Sequence, residues 1–190
     1  SAPSAPEMKL NLAGFPVKGN KSSTISVVEI SDYTCGHCQR AHPQVMELLK
    51  KYKDKVKFTQ VNFALRPNGL SGLYIQGAFC AQKQSEEIFW NYHDEAFKKA
   101  SEPHKHVPGH SHDESKEKQM AKVMEVAGKA KLDLGAFKTC LESNEAKKFV
   151  SETAASLSEQ GVSGTPVFLL NNKKLPNGVF ELEEAIKKLL

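Results

Sequence analysis

No apolar run in this 190-residue chain approaches the eighteen or so residues that a membrane-spanning helix needs. Nor is there a basic stripe interleaved with aromatics. The 26 Lys and Arg stand against 22 Asp and Glu, the formal charge is only +4, and the lysines are scattered. The electrostatic footprint of a nucleic-acid binder is therefore missing, and no nucleic acid is expected as a partner. No internal repeat is visible. Cysteine is scarce, at four residues, and only one pair is closely spaced. The first six residues are Ser, Ala and Pro alone, with nothing to bury, which reads as a linker or the start of a processed chain.

What is present suits one domain, or one domain carrying an insertion, with a core that needs no external staple: 39% of the residues are hydrophobic and 25% charged. Cys35, Cys38, Cys80 and Cys140 form an even set. That fits an oxidising compartment, although the same count would serve a metal.

Residues 24–30, TISVVEI, are β-branched and apolar with one acid inside, and read as a buried strand. Polar SDYT follows, with Thr34 as the expected N-cap, and then a helix whose apolar face carries Val45, Met46, Leu48, Leu49 and Tyr52. Pro43 lies inside that helix, where a kink is expected. Residues 55–65 read as a second strand, completing a βαβ unit. From about 66 to 160 the apolar spacing is helical, broken by the polar stretch SEPHKHVPGHSHDES. After Gly161, β character returns in TPVFLLNN and in Val179-Phe180, with a turn at LPNG between them and a closing helix from ELEEAIKKLL.

The pair Cys35-Gly36-His37-Cys38 sits on a strand-to-helix junction. A structural zinc site wants a second close pair, which the chain lacks, and an inert staple is out of place at a helix start. A redox centre has a mechanism. The free N–H groups and the dipole of a helix N-terminus stabilise an anion on Cys35, and His37 can add a charge or a hydrogen bond. Cys38, one turn further in, would be the resolving thiol.

These residues carry a specific resemblance. VVEISDYTCGHCQRAHP, then a strand, a helical block and GVSGTPVFLLNN, resembles the DsbA-like thiol–disulfide oxidoreductases of the thioredoxin superfamily over roughly residues 20–190. The resemblance implies an α/β class, a thioredoxin fold with an inserted α-helical domain. On that reading 1–19 is an N-terminal linker with a candidate first strand, 20–65 the βαβ part, 66–144 the helical insertion and 145–190 the αββα remainder. It further implies a cis proline at Pro166 facing the disulfide, with the Thr165 backbone left free to pair with a substrate strand. Glu29 is either a solvated edge-strand acid or a buried carboxylate that shuttles protons to Cys38.

The implied function is donation of the Cys35–Cys38 disulfide to unfolded or reduced exported proteins in the periplasm or elsewhere in the cell envelope. No organic cofactor is implied, only the redox-active disulfide, together with a membrane-embedded, quinone-linked reoxidant. The Gly36-His37 dipeptide alone leaves the direction of electron flow open, so a reductase or isomerase is the alternative. Only about twenty residues precede the first core strand, too few for an N-terminal dimerisation domain, and a monomer is expected. Cys80 and Cys140 are either buried free thiols or, as the resemblance favours, a structural disulfide. His104, His106, His110 and His112 form either a solvated loop or a transition-metal site, the basis of a rival reading as a metal-binding envelope protein. His42 and His93 are expected to serve as packing or surface residues.

Overall fold

The computed structural model describes residues 6–103 and 114–190. It divides into two units, Ser1–Phe63 with Leu157–Leu190, and Ala64–Ser156.

The first unit is built on a five-stranded sheet. Its strands are β1 (Val17–Gly19), β2 (Ser26–Ser31), β3 (Lys57–Asn62), β4 (Val167–Leu170) and β5 (Lys173–Lys174), in the order β1-β3-β2-β4-β5. β2 and β3 run parallel and every other pair antiparallel. Helix α1 (Gly36–Lys51) makes the crossover that the parallel pair requires. β2 and β3 lie inside the sheet and are buried at five of six positions each, the polar Glu29, Ser31, Thr59, Gln60 and Asn62 included. α1 continues through Pro43 and buries Cys38, Ala41, His42, Val45 and Leu49.

The C-terminal hairpin departs from the sequence reading in two places. Its turn is Asn171-Asn172, both at positive φ, a conformation asparagine tolerates and two-residue hairpins require. LPNG therefore does not separate two strands. It leads from β5 into α7 (Val179–Lys187), and Val179-Phe180, expected as strand, forms the first turn of that helix. Glu181 fixes the entry by accepting the Asn177 N–H at 2.8 Å. The N-terminal segment lies along the other side of β5: Met8 N–H donates to the Asn172 carbonyl, and Lys174 N–H to that of Pro6.

The second unit holds α2 (Leu70–Gln84), α3 (Glu86–Ala100), α4 (Lys116–Lys129), α5 (Leu134–Leu141) and most of α6 (Asn144–Glu159). The sequence placed its far edge at 144. The division instead falls inside α6, because Phe149 stacks on Phe79 of α2 at 4.6 Å and Glu145 pairs with Lys83. Ser85, Ser115 and Asp133 cap α3, α4 and α5 through their side chains. Cys80 on α2 and Cys140 on α5 are joined by a disulfide across 60 residues of chain. His93 is buried against the rings of Phe89, Trp90 and Phe97, a packing residue, and His42 is buried in α1.

Gly77 marks a tight helix–helix contact in this unit. A Cβ there would lie 2.1 Å from the Tyr92 hydroxyl, which donates to the Tyr74 carbonyl at 2.7 Å. Alanine is the better helix former by about 1 kcal/mol, but the rigid, buried Tyr92 ring has nowhere to move. Gly77→Ala is expected to destabilise the protein by about 1–3 kcal/mol in urea unfolding. An increase in stability would show that the ring yields.

Candidate active site

The loop entering α1 is held by Asp32 rather than capped by Thr34. Asp32 Oδ1 accepts the Thr34 N–H at 2.8 Å and its hydroxyl at 2.9 Å, while the Asp32 carbonyl accepts Cys35 N–H at 3.1 Å. This Asx turn occupies the Thr34 side chain, so the N-cap is Cys35, with extended backbone and no side-chain cap bond. The first turn of α1 contains no acid, leaving its N-terminal pole uncompensated beside the Cys35 sulfur.

Cys35 is half-buried and Cys38 buried, and the two are free cysteines in this structure. Burial pushes the Cys38 thiol well above the ordinary cysteine range. The Thr165 hydroxyl and a backbone group of Asp32 pull it part of the way back, and neighbouring Cys35 pushes it further up. The Cys35 sulfur donates to the Thr165 carbonyl at 3.5 Å, and the Thr165–Pro166 peptide is cis. The CxxC and the distal Thr-Pro, far apart in sequence, thus meet at one point. Gly36 adjoins Arg40, whose guanidinium Nη1 lies 3.2 Å from where a Cβ on Gly36 would stand. His37 is exposed on the same helix face.

Glu29 lies in β2, between Gln60 of β3 and Phe168 of β4 in register, and is fully buried. An edge-strand position is ruled out by the strand order. Neither carboxylate oxygen has a hydrogen-bond partner among the described residues, and burial pushes the pKa up to about 8. The sheet face it shares carries Ser31, Gln60 and Asn62, linked by hydrogen bonds from Gln60 Nε2 to Ser31 Oγ and Asn62 Oδ1. Asn62 Nδ2 in turn donates to the Tyr33 hydroxyl.

A groove of about 530 Å³ opens beside the cysteines, walled by His37, Arg40 and Gln44 of α1, residues 161–167, and residues 174–180. Met8 closes one part of it and Phe180, 85% exposed, stands on its rim. The sequence reading missed this wall. His37, Arg40, Ala41 and Gln44 do carry a signal, the i, i+3, i+4, i+7 spacing of one helix face. Lys174 and Phe180 carry none, since only the fold brings them there. Among the described residues no group of three or more His, Cys, Asp or Glu could hold a metal ion. His104, His106, His110 and His112 lie outside the described residues. No described helix is long and apolar enough to cross a membrane.

A family model described as thioredoxin matches residues 13–188. The chain belongs to the thioredoxin family. Disulfide bond formation protein D of Bacillus subtilis is 26% identical to this thioredoxin-family chain over 188 residues, 95% of the chain and 79% of that protein. Na(+)/H(+) antiporter NhaA 3 of Salinispora tropica is 27% identical over 171 residues, 88% of this chain, and the chain spans only 23% of the antiporter's length. Among solved structures, oxidised BdbD from Bacillus subtilis superposes with a TM-score of 0.78 at 21% identity, covering 98% of each chain. The thiol-disulfide exchange protein α-DsbA2 from Wolbachia pipientis gives 0.73 at 18% identity, over 94% of this chain and 88% of that one. The architecture is that of DsbA-like structures, a thioredoxin fold with inserted helices.

Proposed function

We propose that this chain is a thiol–disulfide oxidoreductase that donates its Cys35–Cys38 disulfide to reduced, exported proteins outside the cytoplasm. The observation that carries the reading is the meeting of Cys35, at an uncompensated helix N-terminus, with the backbone of Thr165 beside the substrate-sized groove. A substrate thiolate attacks Cys35, forming a mixed disulfide and releasing Cys38. A second substrate thiolate then displaces Cys35, so the substrate loses two electrons that the cysteine pair gains. The helix pole and His37 stabilise the Cys35 thiolate as leaving group. Glu29, protonated at neutral pH, supplies and takes back the proton of Cys38. The Thr165 backbone pairs with an extended substrate strand, holding its sulfur near Cys35. In the run of the opposite reaction Cys38 resolves the mixed disulfide. Reoxidation after each turnover falls to a membrane-embedded, quinone-linked partner.

The deciding quantity is the reduction potential of Cys35–Cys38, measured by equilibration in glutathione buffers with alkylation counted at those two residues and Cys80–Cys140 left intact. A value above about −180 mV is expected and marks a donor of disulfides; one below about −230 mV would make the protein a reductase. Cys35→Ser should abolish oxidation of a reduced substrate protein. Retained exchange would remove the role of Cys35 altogether.

A further inference from the structure

The groove beside Cys35 has one sign of charge. Arg40 contributes from α1 and Lys174 from β5, both exposed, and His37 stands between the cysteines. No Asp or Glu lines the groove among the described residues. Two acids adjoin lining residues along the chain without lining the groove themselves: Glu181, whose Oε1 accepts the Asn177 N–H, and Glu7, beside Met8. Neither Arg40 nor Lys174 has a carboxylate within ion-pair distance among the described residues, so both cations are open to an incoming ligand. The Arg40 guanidinium lies over Gly36, the residue that follows Cys35 in the chain.

We infer that the groove selects extended polypeptide segments carrying Asp or Glu beside their cysteine, held by Arg40 on one wall and Lys174 on the other. The inference rests on the exchange reading above and names its substrate class. An extended strand pairing at Thr165 projects every second side chain to the same face, so carboxylates two residues to either side of the cysteine share its face and reach the two cations without displacing the sulfur. Phe180 on the rim takes an apolar neighbour. Because these charges are exposed, they act mainly on encounter and orientation, with a strong dependence on salt. They also oppose the tendency of an acidic segment to be repelled by a developing thiolate at Cys35.

The test uses three extended peptides of about twelve residues. Each has two cysteines, flanked by glutamates, glutamines or lysines. Each is oxidised by this 190-residue chain in its disulfide form; the peptide loses two electrons and two protons to make its disulfide, and Cys35–Cys38 gains them. Flanking charge also changes each peptide's own thiol, so every rate is divided by that peptide's rate with a small uncharged disulfide. At about 20 mM salt the normalised kcat/KM should be about five- to tenfold higher for the glutamate peptide than for the lysine peptide, falling below about twofold at about 0.5 M. In the Arg40→Gln, Lys174→Gln double variant the ratio should approach one. The ratio compares two peptides on the same protein, so a general change in Cys35 reactivity cancels. Equal rates, a lysine preference, or a preference that survives in the double variant overturns the inference while oxidation of the glutamine peptide upholds the exchange reading. Failure to oxidise any peptide overturns both.

Discussion

Glu29→Gln should make the protein more stable at pH 8 by roughly 4 kcal/mol while leaving its stability at pH 4 nearly unchanged. The carboxyl is fully buried without a hydrogen-bond partner among the described residues, and its pKa is raised from 4.5 to about 8. Between those values the folded protein holds a proton that the unfolded chain has released. The unfolded state then binds fewer protons, so stability falls as pH rises, by about 1.4 kcal/mol per unit. The contribution of the protonated carboxyl is fully present below pH 4.5, is lost progressively up to about pH 8, and is flat above that. Glutamine has nothing to titrate, so the difference between the two proteins' urea-derived stabilities should open across this window and nowhere else. Parallel profiles would mean that Glu29 is solvated or ionised in the folded state. The same substitution should slow exchange near neutral pH and remove a step near pH 8 from the rate profile. On the exchange function proposed above, the group that a protonated Glu29 would serve is Cys38, whose thiol burial also holds in its neutral form.

The residues that made the site legible in sequence are those whose roles are local. TISVVEI announces a central strand because a strand buried on both faces has no polar side to show, and the CxxC falls where strand gives way to helix. Glu29 stood out for the same reason, as the one acid in that apolar run. The cap of α1 could not be read because Thr34 and Asp32 compete for the same turn, and only the geometry shows that Asp32 takes it. The hairpin was misplaced because LPNG is the stronger turn signal by composition, whereas Asn171-Asn172 turns by tolerance of positive φ. Cys80 and Cys140 each read as a lone cysteine on an apolar face, and pairing is a property of packed helices that spacing does not encode. The charge of the groove was the least legible feature. Arg40 and Lys174 look like ordinary surface cations until the sheet brings β5 alongside α1.

Replacing Cys80 and Cys140 with alanine is expected to cost about 4 kcal/mol. The bond closes a loop of 60 residues, and on the chain-entropy model opening it returns that freedom to the unfolded state. Such a loss is a large part of the 5–15 kcal/mol typical of a domain. The double variant should unfold at lower urea with a steeper dependence on denaturant, because its unfolded chain is less compact. Faster hydrogen exchange in α2 and α5 would locate the loss in the helical unit; a change below about 1 kcal/mol would mean the helices hold this geometry without the bond. Linkage then fixes how the two cysteine pairs behave together. What the bond gives the folded state, folding gives back to the bond, and about 4 kcal/mol corresponds to roughly 85 mV at about 30 mV per 1.4 kcal/mol. Cys80 is also buried, which restricts attack by an external thiolate. A graded reductive titration of the native protein should therefore release two thiols first, at Cys35 and Cys38, and two more only under far stronger reduction. Simultaneous release of all four would mean that Cys80–Cys140 belongs to the redox chemistry and is not a brace for the helices around it.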